Sequence, residues 1–156
     1  MSQIRRALLL LALMLALGPD RAPAEAAGPQ AVGNGVLRTT AAGAAFVVQL
    51  DETHPPSFTY WDYTDDPPRV LSMADSPSAV DCLGELFGGQ TIGLSAAASD
   101  SASPGEAVTL RAFLVDGGPG GPHRLSLKAS RTNGAVVYFA PLRDLESGTL
   151  TVSCPS

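Results

Sequence analysis

Beyond residue 17 the sequence has no apolar run approaching spanning length, no run of Lys or Arg, and only two cysteines and two histidines. Each shortage closes a class of function. A membrane-spanning helix needs about 20 apolar residues, so no such segment follows the amino terminus. A net charge of −5 with no basic run to override it repels phosphate backbones, which argues against nucleic acid and against anionic membranes as partners. There is no G-x-S-x-G elbow, no H-E-x-x-H, no C-x-x-C pair and no glycine-rich phosphate loop between a strand and a helix. A serine triad would have to recruit His54 or His123, and no serine stands in a recognisable nucleophile context. Zinc would need both histidines plus carboxylates, and no spacing supports that. No catalytic and no metal residue is therefore assigned. A hydrolase is the weakest of the readings kept open, although paired acids for glycoside cleavage can lie anywhere in a sequence.

At the amino terminus, Arg5 and Arg6 precede the apolar run Ala7–Leu17, then Gly18-Pro19 and an alanine-rich stretch. This is the pattern of a secretory signal peptide. Ala24 and Ala26 fit an A-x-A cleavage site, which places the mature start near Ala27, with Ala22/Ala24 as a second site. No cysteine follows the run, which argues against lipid anchoring. The expectation is a signal peptide over 1–26 and a single soluble domain over 27–156, exported to the periplasm or the extracellular space. Cleavage removes Arg5, Arg6 and Arg21 with Asp20 and Glu25, three positive and two negative charges, so the formal charge moves from −5 to −6. About 130 residues suffice to bury roughly two thirds of the unfolded surface in one core.

Cys82 and Cys154 would meet an oxidising compartment and are expected to bond to each other. The rival readings are a free reactive thiol and an intermolecular pair; an even count in a secreted domain favours the internal bond. Cys154 shares an alternating face with Leu150 and Val152, which aims its sulfur inward.

The remaining pattern is strand and turn. In Ala107–Ala129 the residues Val108, Leu110, Ala112 and Leu114 share one face, Leu125, Leu127 and Ala129 share another, and Asp116–Pro122 is a glycine- and proline-filled turn. Period two with such a turn predicts a β-hairpin. Asn133-Gly134 predicts a second, whose register sets Ala129 opposite Tyr138 and Leu127 opposite Ala140. Phe46–Leu50, Ser57–Thr64, Arg69–Ala74, Thr91–Leu94 and Thr149–Cys154 read as further strands. Gly33-Asn34-Gly35 reads as a turn, Ser95–Gly105 as an exposed loop and Pro141–Ser147 as a connection, while Ala79–Phe87 fits a helical turn or a short strand. About eight strands and no long helix predict an all-β fold, an antiparallel sandwich or partly closed barrel with one disulfide.

Two groups of side chains are candidates for binding. Phe58, Tyr60, Trp61 and Tyr63 crowd six residues, with Phe58 and Tyr60 on one strand face and Trp61 and Tyr63 on the other. One pair packs in the core; the other is either partly covered as well, the favoured reading because aromatics are preferred strand residues anyway, or an exposed platform for a sugar ring or a protein partner. Asp62, Asp65 and Asp66 surround the following loop, Asp116 opens the long glycine turn, and His123 closes it. Calcium accepts carboxylate and carbonyl oxygens from such loops, although no D-x-D-x-D-G spacing is present and Asp before proline is ordinarily a turn former. The candidate ligand-binding residues are thus Tyr60, Trp61, Asp62, Asp65, Asp66, Asp116 and His123. The leading expectation is a non-enzymatic binding or structural module with a protein or glycan partner and no cofactor. A calcium- or carbohydrate-binding module built on Phe58–Asp66 is the alternative.

The order of features resembles the post-COAP domain, a small secreted bacterial β-module of unassigned function. The shared marks are Gly33 and Gly35, Tyr60-x-Asp62, Val70-x-Ser72, and above all Val115-Asp116-Gly117-Gly118-Pro119-Gly120 leading into an alternating strand. The likeness covers about Gly33 to Val152. It departs at Pro122-His123-Arg124-Leu125, where an acidic residue and then an aromatic would follow the turn, and the cysteine pair lies outside the family pattern. The resemblance implies a non-enzymatic secreted module and carries over no catalytic residue.

Overall fold

The computed structural model describes residues 27–38 and 42–155; the segment read as a signal peptide lies outside them. Nine antiparallel strands are present: β1 (Gln30–Arg38), β2 (Gly43–Leu50), β3 (Ser57–Asp62), β4 (Arg69–Met73), β5 (Ala79–Leu86), β6 (Gly89–Asp100), β7 (Val108–Asp116), β8 (Arg124–Arg131) and β9 (Val136–Ser153). Their order is β4-β3-β2-β1-β9-β8-β7-β6-β5, and an extra ladder between β4 and β6 joins the sheet to itself. The result is an eight-stranded closed barrel with β5 as one outer strand. An eight-stranded barrel has an interior that side chains just fill, or that holds one small ligand.

Alternation builds the core. Phe46 and Val48 on β2, Phe58 and Tyr60 on β3, and Leu110 and Leu114 on β7 are buried together with Leu125 and Leu127 on β8. The central hairpin has the expected faces, with Leu110 beside Ala129 and Ala112 beside Leu127. The Asn133-Gly134 turn sets Ala129 opposite Tyr138 and Leu127 opposite Ala140, the register read from the sequence.

Two long strands give the barrel its asymmetry. Along one edge β6 carries two partners, β5 beside Gly89–Ser95 and β4 beside Ala98–Asp100. Backbone bonds from Ala74 to Ala97 and from Ser78 to Ser95 bracket the step between them. β5 is therefore a continuation of β4 that has left the wall, and among the described residues its other edge has no strand partner. Cys82 on β5 is bonded to Cys154 just past β9, and both pack on the core. β9 changes partner at its middle: Val136–Asp144 run with β8, and Leu145–Ser153 run with β1.

Three stretches depart from the sequence reading. Gly33-Asn34-Gly35 is not a turn but the middle of β1. A Cβ on Gly33 would strike the Thr149 carbonyl, and one on Gly148 would strike the Asn34 carbonyl, so these glycines permit β1 and β9 to approach closely. Ser95–Gly105 is not all loop, because β6 runs to Asp100 with Ala96 and Ala98 buried. Its inward positions are Ala96, Ala98 and Asp100, and its outward ones Ser95, Ala97 and Ser99, a period-two pattern whose alanines are too small and too evenly spread over both faces to register as apolar alternation. Pro141–Ser147 is not a connection but part of β9; Pro141 and Leu142 together oppose Ser126 at a bulge, a place where proline costs no ladder bond. Ala79–Phe87, left open between helix and strand, is β5, which turns into β6 through Phe87 and Gly88, both at positive φ.

The disulfide closes a loop across a separation of 72 residues. Replacing both cysteines by serine is expected to lower unfolding stability by about 4 kcal/mol, read as a lower urea midpoint with unchanged far-ultraviolet circular dichroism. An unchanged midpoint would mean that β5 is held by packing alone.

Candidate functional site

Beside the point where β9 changes partner, the barrel holds a cavity of about 300 Å³. Its polar side is built from β3 and β9. On β3 the alternation turns Tyr60 inward, and Asp62 ends the strand at the rim. Thr64 then folds back, its N–H and hydroxyl both donating to Asp62 Oδ1, at 2.9 and 2.6 Å. From β9, the Tyr138 hydroxyl donates to Asp62 Oδ2 at 2.6 Å and lies 3.0 Å from the Tyr60 hydroxyl. An ionised carboxylate only accepts. Tyr138 has therefore spent its proton on Asp62, and Tyr60 must donate to Tyr138.

A second network backs the first. The Arg69 guanidinium on β4 stacks 4.9 Å from the centre of the Tyr138 ring, pairs through two nitrogens with the Asp100 carboxylate on β6, and donates to the Val137 carbonyl at 3.1 Å. The Asp100 side chain is fully buried, whereas Arg69 keeps 19% of its side chain exposed; Asp100 also accepts the Ala102 N–H at 3.0 Å.

The electrostatics follow from these contacts. Burial raises Asp62, but the hydrogen bonds from Thr64 and Tyr138 and the charge of Arg69 outweigh it and hold the carboxyl below its ordinary range. Burial also opposes ionisation of Asp100, and the bonds from Arg69 and Ala102 again win, so its carboxyl is lowered. Burial pushes the Tyr138 hydroxyl well above the tyrosine range, and its bonds to Asp62 and Tyr60 push the same way. Tyr60 is raised, chiefly by burial.

The apolar side of the cavity comes from Leu37, Leu125, Ala140 and Pro141, with Phe139, 62% exposed, at the mouth. Arg143 completes the lining. It stands opposite the buried Leu125 in the β8–β9 register, which is an inward position.

The structure divides the seven residues singled out in the sequence. Tyr60 and Asp62 line the cavity. Trp61 faces the outside of the same strand, beside a shallow depression shared with Tyr63. Asp65 and Asp66 lie exposed on the turn before β4. Asp116 and His123 lie elsewhere, where the glycine turn meets the second half of β9. There Asp116 accepts the N–H groups of Gly118 and Val152, at 2.8 and 3.2 Å, and His123 Nδ1 is 3.2 Å from Asp116 Oδ1. Asp116 thus secures the turn, His123 Nδ1 is buried beside it without a hydrogen bond, and neither residue lines the cavity.

Sequence reasoning missed Arg69, Asp100, Tyr138 and Arg143. For Tyr138 the signal was present, since the Asn133-Gly134 register points it inward; the same ladder carried past Pro141 would set Leu142 opposite Leu125, and only the bulge at Ser126 brings Arg143 to that inward position. Asp100 was hidden in the stretch read as loop. Comparison of the chain with models of protein families, with curated proteins and with solved structures finds no match.

Among the described residues no three His, Cys, Asp or Glu side chains gather as a metal site. Melting curves of residues 27–156 in chelator and in millimolar calcium are therefore expected to coincide; a calcium-dependent rise would place a site on the acidic turns. Asp100→Asn is expected to cost about 3 kcal/mol at neutral pH, because Arg69 is left without its counter-ion. The lowered Asp62 and Asp100 carboxyls contribute fully above roughly pH 4, where unfolded carboxylates are ionised, and lose that contribution as pH falls through their lowered folded values. The stability gap between wild type and Asp100→Asn should thus narrow on acidification. Urea unfolding from neutral pH downward reads it, and a constant gap would contradict the assignment.

Proposed function

We propose that this chain is an exported, non-enzymatic binding module that holds a small ligand in the cavity between β3, β8 and β9. The observation that carries this reading is the cavity itself. It is a space of about 300 Å³ reaching the interior of a closed barrel, apolar on one side and polar on the other. Small-molecule sites have this composition, a mostly apolar lining with a few fixed polar groups, and 300 Å³ is at the small end of their range. The polar groups are immobilised by their own hydrogen bonds, so little ordering entropy remains to be lost on binding. Export is supported by the Arg5-Arg6 and Ala7–Leu17 pattern and is compatible with the disulfide. The resemblance to the post-COAP domain points the same way, to a secreted module without chemistry of its own.

A second reading rests on the outer wall. Trp61 and Tyr63 border a shallow depression over β1, β2 and β9, and an aromatic pair in such a place suits a glycan surface. Substitution separates the two. Ala140→Leu fills the cavity without touching Trp61, and Trp61→Ala does the reverse. In ligand-observed NMR with a fragment library, Ala140→Leu is expected to weaken binding at least tenfold, and Trp61→Ala to leave it within twofold. The opposite pattern would move the site to the outer wall.

A further inference from the structure

Of the seven Lys and Arg residues after position 26, four have carboxylate partners: Arg38 with Glu146, Arg69 with Asp100, Arg124 with Asp144 and Arg131 with Glu106. Arg111 and Lys128 face each other across β7 and β8, at positions that alternate with the buried residues, so both lie on the outer wall where water solvates them. Arg143 is different. It is half-buried, occupies an inward register position opposite Leu125, lines the cavity, and has no hydrogen-bond or ion-pair partner among the described residues. A guanidinium in such a place has lost part of its hydration and gained nothing in return, a cost that a bound anion would offset.

The hydrogen-bond direction of the neighbouring network sharpens the point. Thr64 and Tyr138 donate to Asp62, and Tyr60 donates to Tyr138. The hydroxyl protons facing the cavity are all committed, and Asp62 has its charge covered by three donors. Among the lining side chains, the one donor left free is the Arg143 guanidinium. Its planar fork matches a carboxylate through two parallel bonds.

We propose that the cavity ligand is a small carboxylate with an apolar body, its carboxylate on Arg143 and its body against Leu37, Leu125, Ala140 and Pro141. This rests on the cavity reading above and goes beyond it by naming the ligand class. A hydroxyl or amide N–H on the body would find an acceptor in the Tyr60 oxygen, whereas a second acceptor there would meet lone pairs and be rejected.

The test uses hexanoate and hexanamide, which share a body and differ in charge. Each is titrated into residues 27–156 at neutral pH and followed by the methyl NMR signals of Leu37 and Leu125. Hexanoate is expected to bind at least tenfold more tightly than hexanamide. Arg143→Met should abolish that preference while leaving hexanamide affinity within twofold, and because Arg143 has no partner to lose, the variant should melt no lower than wild type. Arg143→Gln provides the same comparison if methionine repacks the cavity. Equal binding of acid and amide to wild type, or a preference that survives both variants, would overturn the carboxylate assignment and leave the cavity reading standing. If neither probe shifts the Leu37 and Leu125 methyls, the cavity reading fails and takes the assignment with it.

Discussion

A buried ion pair holds the seam at which this sheet becomes a barrel. The β4–β6 ladder is short, running from Leu71–Met73 to Ala98–Asp100, and Arg69 and Asp100 lock its end from the two sides. The same guanidinium reaches the Val137 carbonyl and covers the Tyr138 ring, so β4, β6 and β9 are tied through one side chain. Removing either charge would strand the other in a low-dielectric interior, which is why such pairs are all-or-nothing devices. Here the pair does more than close the wall, because it fixes the tyrosine that shapes the cavity.

From Arg69 the order passes outward. Tyr138 is held by the cation on its face and by Asp62 at its hydroxyl, and Tyr60 follows from Tyr138. A polar chain in which each proton has one destination resists the rotations that would let water enter, and its members strengthen one another in a poorly polarisable interior. The cavity is consequently rigid on its polar side and plain hydrocarbon on the other. Arg143 is the exception, a charge with room to choose its partner.

Much of the barrel was legible in the sequence because period-two alternation and turn chemistry are local signals. Val108–Leu114, Leu125–Ala129 and the Asn133-Gly134 register all appear as read. What was misread depended on distant neighbours. The glycines at 33 and 35 look like a turn until β9 is laid against them, and Pro141 looks like a breaker until the bulge opposite Ser126 is known. The Ala96-Ala98-Asp100 face is weak as a sequence pattern because its inward side chains are small. The candidate site was half visible: Tyr60 and Asp62 stood out beside an aromatic cluster, but Arg69, Asp100 and Tyr138 come from separate strands, and only closure brings them together. Asp116 and His123 stood out for their glycine-rich surroundings, which mark a turn rather than a site.

The pairing of β1 with β9, and of Cys82 with Cys154, sets an order on how the molecule comes into being. β1 cannot find its final neighbour until β9 has been synthesised, and β5 cannot be fastened until Cys154 has followed it. Contacts of such large sequence separation are slow to form, so the β1–β9 seam forms later than local hairpins such as β7–β8. A barrel whose first strand must wait for its ninth is closed by its most distant pairing, and the bond to Cys154 fastens the outer strand only after that.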